Sequence, residues 1–217
     1  MRVVSGTAKG RPLKAVPGSG TRPTTDKVKE ALFSMIGPYF DGGQALDLFA
    51  GSGGLGIEAL SRGMSHAVFI DMEPKSIEVI RENLKKTGLA EQSEVYRNDA
   101  QRAIKVLAKK EARFDMVFLD PPYRLKFGDK LMTEMHERGL LADGATMVLE
   151  YESGYEYPAD FGPFRHLRKA VYGETAVSIY EYIAAGPEAA ADQGHVITTS
   201  ETEPQGGSRN GGEEQHD

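Results

Sequence analysis

Asp120, Pro121, Pro122 and Tyr123 follow directly on the apolar run Met116-Val117-Phe118-Leu119. Neither proline can donate a ladder hydrogen bond and each fixes its own φ, so a buried strand is expected to stop here at a rigid corner. Such a corner sets the direction of one carboxylate, leaves nearby carbonyls without partners and offers one aromatic face, which are the parts needed to hold a flat nucleobase by its amino edge. A nucleobase amino group is a poor nucleophile because its lone pair is delocalised into the ring. Acceptors aimed at its two hydrogens favour the pyramidal, partly positive nitrogen of a transition state over the ground state. On this reading Asp120 and a carbonyl of the Pro121-Pro122 corner are the acceptors, and Tyr123 stacks on the base. The plain alternative is a strand-terminating turn with Tyr123 in the core.

About seventy residues upstream, Gly51-Ser52-Gly53-Gly54-Leu55-Gly56 forms a Gly-x-Gly-x-x-Gly after the apolar stretch that begins at Ala45. Absent side chains let backbone N–H groups approach a ligand at a helix N-terminus. Asp71 follows Gly51 by twenty residues, the spacing of an acid that accepts from ribose hydroxyls. Taken alone, these glycines indicate a nucleoside-containing ligand and fit a dinucleotide oxidoreductase equally well. Asp47, just before the loop, would place a negative charge near the ligand, which suits a sulfonium or an amino-acid ammonium better than a pyrophosphate. That charge, a C-terminal hairpin and the corner at Asp120 together favour S-adenosyl-L-methionine over a nicotinamide dinucleotide.

The elements that must carry these residues alternate. Ala45 to Phe49 reads as a strand, Gly54 to Ser61 as a helix, and His66 to Ile70 as a strand ending on Asp71. Pro74 opens a helix with Ile77, Ile80 and Leu84 on one stripe and Gly88 as its stop. A strand at Ser93 to Arg97, a helix from Ala100 to Lys110, a strand at Phe114 to Leu119, a helix near Lys130 to Arg138 and a strand at Thr146 to Tyr151 follow. This order implies a Rossmann-like α/β fold with a mostly parallel sheet, ligands binding where strand order reverses. His166 to Tyr172 and Thr175 to Ile183 flank Gly173-Glu174 too closely for a crossover, so they should form an antiparallel hairpin and complete a seven-stranded sheet. At the other end, Met1 to Ser5 and Pro12 to Val16 could pair as a small hairpin. Thr24-Thr25-Asp26 supplies N-cap chemistry for a helix whose apolar face is Val28, Ala31, Leu32, Met35 and Ile36.

The 217 residues suit one domain of ordinary size, here divided into a basic hairpin arm over 1–23, a main domain over 24–184 and an acidic tail over 185–217 that should be disordered. The net charge of −6 resides in that tail, which carries seven acids against Arg209. Residues 1–25 carry Arg2, Lys9, Arg11, Lys14 and Arg22 with no acid, a candidate phosphate-contacting arm. No apolar run suggests a membrane span or a signal peptide, so a cytoplasmic protein is expected. There is no cysteine, which removes thiolate metal sites and the nucleophile that methylation at pyrimidine carbon 5 requires. The five histidines are scattered, and no metal is expected.

Asp47-Leu48-Phe49-Ala50-Gly51-Ser52-Gly53, Asp71, Asn98-Asp99-Ala100, Asp120 to Tyr123, Arg2 with Gly6, and Arg22-Pro23-Thr24-Thr25-Asp26-Lys27-Val28 together resemble the bacterial 16S rRNA (guanine(966)-N(2))-methyltransferase family over about residues 1–184. The resemblance implies a class I methyltransferase fold and methyl transfer from S-adenosyl-L-methionine to the exocyclic 2-amino group of a guanine in 16S rRNA or an assembling 30S subunit, by a monomer. It further implies cofactor contacts at Asp47, Phe49, Ala50, Gly51, Gly53, Asp71 and Met72, an adenine contact at Asp99 and Ala100, and catalysis at Asp120, Pro121, Pro122 and Tyr123. For Asp99 a simple helix N-cap is the competing reading. A DNA adenine amino-methyltransferase shares the same four-residue corner but usually needs a separate recognition domain. A non-catalytic, nucleotide-dependent RNA-binding or assembly factor is the alternative of another class.

Overall fold

In the computed structural model, residues 1–18, 25–122 and 126–184 are described. Arg22, Tyr123 and the tail from residue 185 therefore lie outside the described residues. The chain runs α1 (Asp26–Ile36), β1 (Gln44–Asp47), α2 (Gly54–Ser61), β2 (His66–Asp71), α3 (Pro74–Thr87), β3 (Ser93–Arg97), α4 (Ala100–Lys109), β4 (Phe114–Leu119), α5 (Gly128–Glu137), β5 (Leu141–Glu152), β6 (Phe164–Tyr172) and β7 (Thr175–Tyr182). The seven strands form one sheet in the order β3-β2-β1-β4-β5-β7-β6. From β3 to β5 every pairing is parallel, while β7 runs antiparallel to both β5 and β6. The expected α/β architecture and its C-terminal hairpin are thus present, and strand order reverses between β1 and β4.

Side-chain alternation divides the core between the two faces of this sheet. Leu46, Val117, Leu119 and Leu149 pack with Ile104 and Leu107 of α4 and with Leu131, Met132 and Met135 of α5. Ala45, Phe69, Met116, Phe118 and Val148 face the opposite way, against Leu32 and Phe33 of α1, Ile57 of α2, Ile80 of α3, and Val3 and Leu13 of the N-terminal segment. The central strands are apolar on both faces because both are covered.

Residues 1–14 double back as an antiparallel pair. Val3 N donates to Arg11 O at 2.9 Å, Leu13 N donates to Met1 O at 3.0 Å, and a bridge joins Arg2 to Pro12. This pair is docked on α2 and α3: Val3 is fully buried, Thr7 N donates to Ser61 O, and Ala8 N donates to Ser61 Oγ at 2.9 Å. Gly6 makes the approach possible, because its φ is 82° and a Cβ there would lie 1.7 Å from Ser61 O.

Helix α1 begins as its N-cap chemistry predicts, with Thr25 Oγ1 accepting from Val28 N at 3.3 Å. Its buried face differs from the expected stripe: Lys29, Leu32 and Phe33 are buried, whereas Val28, Ala31, Met35 and Ile36 are only half-buried. A lysine can take a core position here because its ammonium meets a buried carboxylate, Glu58 of α2, at 3.2 Å.

Candidate active site

The chain leaving β1 remains clamped between its neighbours. Leu48 N donates to Phe118 O at 3.1 Å on the β4 side, and Ala50 N donates to Ile70 O at 2.9 Å on the β2 side. Beyond that point the backbone turns through Gly51 and Gly53, both with left-handed φ, into α2. A Cβ on Gly51 would meet nothing within 4 Å, so the loop is open to a ligand there. Gly56 serves packing instead: a Cβ would sit 2.4 Å from Phe69 Cε1, and only glycine lets α2 lie this close to β2. Ala50 is buried, Phe49 is half-buried, and Met72, beyond the end of β2, is exposed.

Asp71 ties the loop to the end of β2. Its Oδ2 accepts from Gly51 N at 2.8 Å and its Oδ1 accepts from Glu73 N at 2.9 Å. Each carboxylate oxygen has a second lone-pair direction available for a further donor. Asp47 is buried, with Oδ2 accepting from Gly56 N at 3.0 Å. Burial pushes its carboxyl up to about 7, the Gly56 hydrogen bond opposes this, and the charge of Asp71 adds to it. Asp99 adopts the N-cap role: Oδ1 accepts from Arg102 N at 3.0 Å and Oδ2 pairs with Arg102 Nε at 3.2 Å. Its neighbour Ala100 is buried at the first turn of α4.

Asp120 stands just past the end of β4, half-buried, with Pro121 buried and Pro122 exposed. Burial holds its carboxyl well above the ordinary carboxylate range, and the negative charges of Glu150 and then Asp47 push in the same direction. Strand register explains this coupling. Asp47 pairs with Phe69 and Phe118, and Leu119 pairs with Leu149. Alternation from Phe69, Ala45, Phe118 and Val148, all in the same core layer, therefore puts Asp71, Asp47, Asp120 and Glu150 on one face of the sheet. Asp71 and Asp47 close β2 and β1, Asp120 follows β4 and Glu150 lies in β5, so four adjacent strands bring one carboxylate each towards the same end of the sheet.

Glu150 carries no motif of its own; it interrupts the apolar run Met147-Val148-Leu149 at a strand position, and that interruption is its one local signal. Asn83 was equally hidden in the α3 stripe. It is fully buried, its Oδ1 accepts from Lys14 N at 2.8 Å, and its Nδ2 donates to Ser52 O at 2.9 Å and to Lys14 O at 3.0 Å. One side chain thereby joins the glycine loop to the N-terminal segment.

The basic residues of that segment are exposed but largely engaged. Arg2 Nε lies 3.1 Å from Asp26 Oδ2, Lys14 Nζ 2.6 Å from Glu82 Oε2, and Arg11 Nη1 donates to Lys86 O at 2.7 Å. Lys9 is exposed on the turn between the paired stretches. Exposed ion pairs are worth about 0–1 kcal/mol, so these cations can exchange partners at little cost. Among the described residues no group of three or more metal-ligating side chains occurs, and no helix is long and apolar enough to cross a membrane. A larger cavity of about 400 Å³ lies away from the strand edge, lined by Asp129, Thr133 and Glu137 of α5 with Pro158 and Phe161.

Comparison with known proteins agrees with this fold. The family model described as "Conserved hypothetical protein 95" matches residues 1–181. A protein of Bacillus subtilis named putative rRNA methyltransferase YlbH is 52% identical over 181 residues, covering 83% of this chain and 98% of its own. The ribosomal RNA small subunit methyltransferase D of Escherichia coli is 34% identical over 186 residues, covering 86% and 92%. Among solved structures, the putative methyltransferase yhhF from Escherichia coli superimposes with a TM-score of 0.71 at 36% identity, covering 85% of this chain and 98% of that one. An RNA methyltransferase from Salinibacter ruber in complex with S-adenosyl-L-homocysteine shares the fold, with a TM-score of 0.58 at 20% identity over 77% and 97%. The strand-edge carboxylates, the open glycine loop and these likenesses meet in one conclusion: the chain belongs to the conserved hypothetical protein 95 family, that of the ribosomal RNA small subunit methyltransferases D.

Proposed function

We propose that this protein transfers a methyl group from S-adenosyl-L-methionine to the exocyclic 2-amino group of a guanine in 16S rRNA, free or within an assembling 30S subunit, in the cytoplasm. The observation that carries this reading is the row of four carboxylates, Asp71, Asp47, Asp120 and Glu150, at the edge where strand order reverses. The residues fit the cofactor. Gly51 leaves backbone open to it, Asp71 has acceptor capacity for ribose hydroxyls, and the buried Asp47 carboxyl offers a counter-charge to an ammonium. Phe49, Ala50, Gly53 and Met72 border the same loop, and Asp99 with the Ala100 N–H, just past the end of β3, would contact the adenine. The cofactor supplies an electrophilic methyl on a sulfonium.

On the other side of the switch point, Asp120 and the carbonyl of Pro121 accept from the two amino hydrogens. They favour the pyramidal nitrogen that develops as the carbon–nitrogen bond forms. Asp120, held above the ordinary carboxylate range, takes the proton that the nitrogen then sheds. Pro122 stiffens the corner, and Tyr123 stacks on the base, which is splayed out of its RNA stack. Arg2, Lys9, Arg11, Lys14 and Arg22 contact RNA phosphates.

The test uses 30S particles from cells lacking the gene, methylated with labelled cofactor and digested to nucleosides for mass spectrometry. N2-methylguanosine is the expected product. Labelled N6-methyladenosine, or no labelled nucleoside, overturns the proposal.

A further inference from the structure

Asn83 is fully buried inside α3, where an amide is a poor helix former, and no step of the methyl-transfer chemistry above uses it. Its side chain serves as a piece of backbone for two segments at once. Oδ1 accepts from Lys14 N at 2.8 Å and Nδ2 donates to Lys14 O at 3.0 Å, as a neighbouring strand would, while Nδ2 also donates to Ser52 O at 2.9 Å. Ser52 is the middle of the glycine turn, whose other ties are Gly51 N to Asp71 Oδ2 and Gly53 N to Ala50 O. Met1 reaches the same turn: its Sδ stands 4.0 Å from Ser52 Oγ, and a Cβ on Gly54 would lie 3.4 Å from that sulfur. Leu13 N donates to Met1 O, so both stretches of the N-terminal pair end against the turn. The segment that carries Arg2, Lys9, Arg11 and Lys14 is thereby bonded to the loop proposed to hold the cofactor.

We propose that Asn83 is a positioning residue through which cofactor binding and RNA binding reinforce each other, and this rests on the S-adenosyl-L-methionine and RNA reading above. A turn built on Gly51 and Gly53 gives up more backbone freedom on ordering than one of other residues. The Asn83 amide restrains it at the Ser52 carbonyl, and the plane of that amide is set in turn by the two Lys14 bonds. RNA phosphates that hold the basic segment therefore also hold the Ser52 carbonyl. A cofactor that orders the turn holds Lys14 through the same amide. Whichever ligand binds first has ordered part of what the second requires, so the second binds more tightly. By linkage the factor is the same from either side. In Asn83→Ala the Ser52 carbonyl and the Lys14 backbone lose their common partner, and the turn and the segment order independently.

The test measures S-adenosylhomocysteine affinity by equilibrium dialysis, with and without saturating 30S particles from cells lacking the gene. The wild type is expected to bind at least about fivefold more tightly with the particles present. Asn83→Ala is expected to bring that ratio below about twofold. Asn83→Asp, which keeps the acceptor for Lys14 N but loses both donated bonds, should lose the enhancement as well. Retained binding to 30S particles serves as the control for folding of each variant. A purely structural loss would weaken both affinities and leave their ratio unchanged. Equal affinities of the wild type with and without particles overturn this inference, and this arm does not depend on a variant folding. An undiminished ratio in a folded Asn83→Ala overturns it as well, because the coupling then runs by direct contact between base and cofactor or by another route. Failure of the wild type to bind S-adenosylhomocysteine or 30S particles at all is the separate failure of the proposed function.

Discussion

Lys29 Nζ lies 3.2 Å from Glu58 Oε2, and both side chains are fully buried between α1 and α2. Glu58 is the hub of a network: its Oε1 accepts from Arg62 Nε at 2.8 Å and from Ser5 N at 2.9 Å, and its Oε2 accepts from Val4 N at 2.8 Å. Lys29 also donates to Arg2 O. The carboxylate therefore holds α1, α2 and the N-terminal segment together. Removing it leaves Lys29 without a carboxylate, Arg62 with only the exposed Glu30 at 3.4 Å, and two amides without their acceptor, so Glu58→Ala should destabilise the fold by about 3–5 kcal/mol. Lys29→Met, which leaves Glu58 with Arg62 and both amides, should cost less. Urea unfolding of the two variants checks the order; equal and small losses would refute the hub.

Asp47 should couple cofactor binding to pH. Its carboxyl is pushed up to about 7, and an ammonium beside it favours the ionised form, so binding releases a proton. Affinity should rise as pH increases from about 6 to about 8, by up to about tenfold per unit below the pKa. Asp47→Asn should bind more weakly at pH 8 and show a flat profile. Because the folded-state value lies above the ordinary one, the ligand-free protein should lose stability as pH rises from about 4 to about 7, a decline absent from Asp47→Asn. Calorimetry in buffers of different ionisation enthalpy counts the proton directly.

Asp120→Asn keeps an acceptor but loses the charge and the base. We expect kcat to fall about 100–1000-fold with S-adenosylhomocysteine affinity nearly unchanged. In the wild type the group must be ionised to act, so single-turnover methylation at saturating cofactor should lose activity as pH falls, with an acid limb above the ordinary carboxylate range. That limb should vanish in Asp120→Asn. A limb of the same position in the variant would assign the titration to another group.

Neutralising Lys9, Arg11 and Lys14 to glutamine should weaken RNA binding across sequences and reduce the slope of log affinity against log salt by about 0.7–0.9 per lost phosphate contact. The Lys14 backbone remains bonded to Asn83, so the docked segment should persist. Filter binding between 50 and 200 mM salt, a range over which about six contacts would change affinity 1000-fold, provides the measurement. An unchanged slope would remove this segment from the RNA interface.

The amino-acid sequence by itself determined the strands, the glycine turn and three of the four carboxylates, because each is written locally. Asp47, Asp71 and Asp120 each end or follow an apolar run, Gly51 and Gly53 break the chain between strand and helix, and two prolines end β4. The C-terminal hairpin was legible for the same reason, since Gly173-Glu174 leaves no room for a crossover. Only the tertiary structure decided what depends on pairings between distant residues. Glu150 comes near enough for its charge to act on Asp120 because β4 and β5 pair up to Leu119 and Leu149. Lys29 reads as a solvent-facing residue until Glu58, twenty-nine positions away, turns a core position into an ion pair. Asn83 looks like a polar fault in the apolar stripe of α3 until Ser52 and Lys14 reach it. Periodicity reports which face a residue is on, whereas a buried polar group is explained by the partner that satisfies it, and that partner is chosen by the fold.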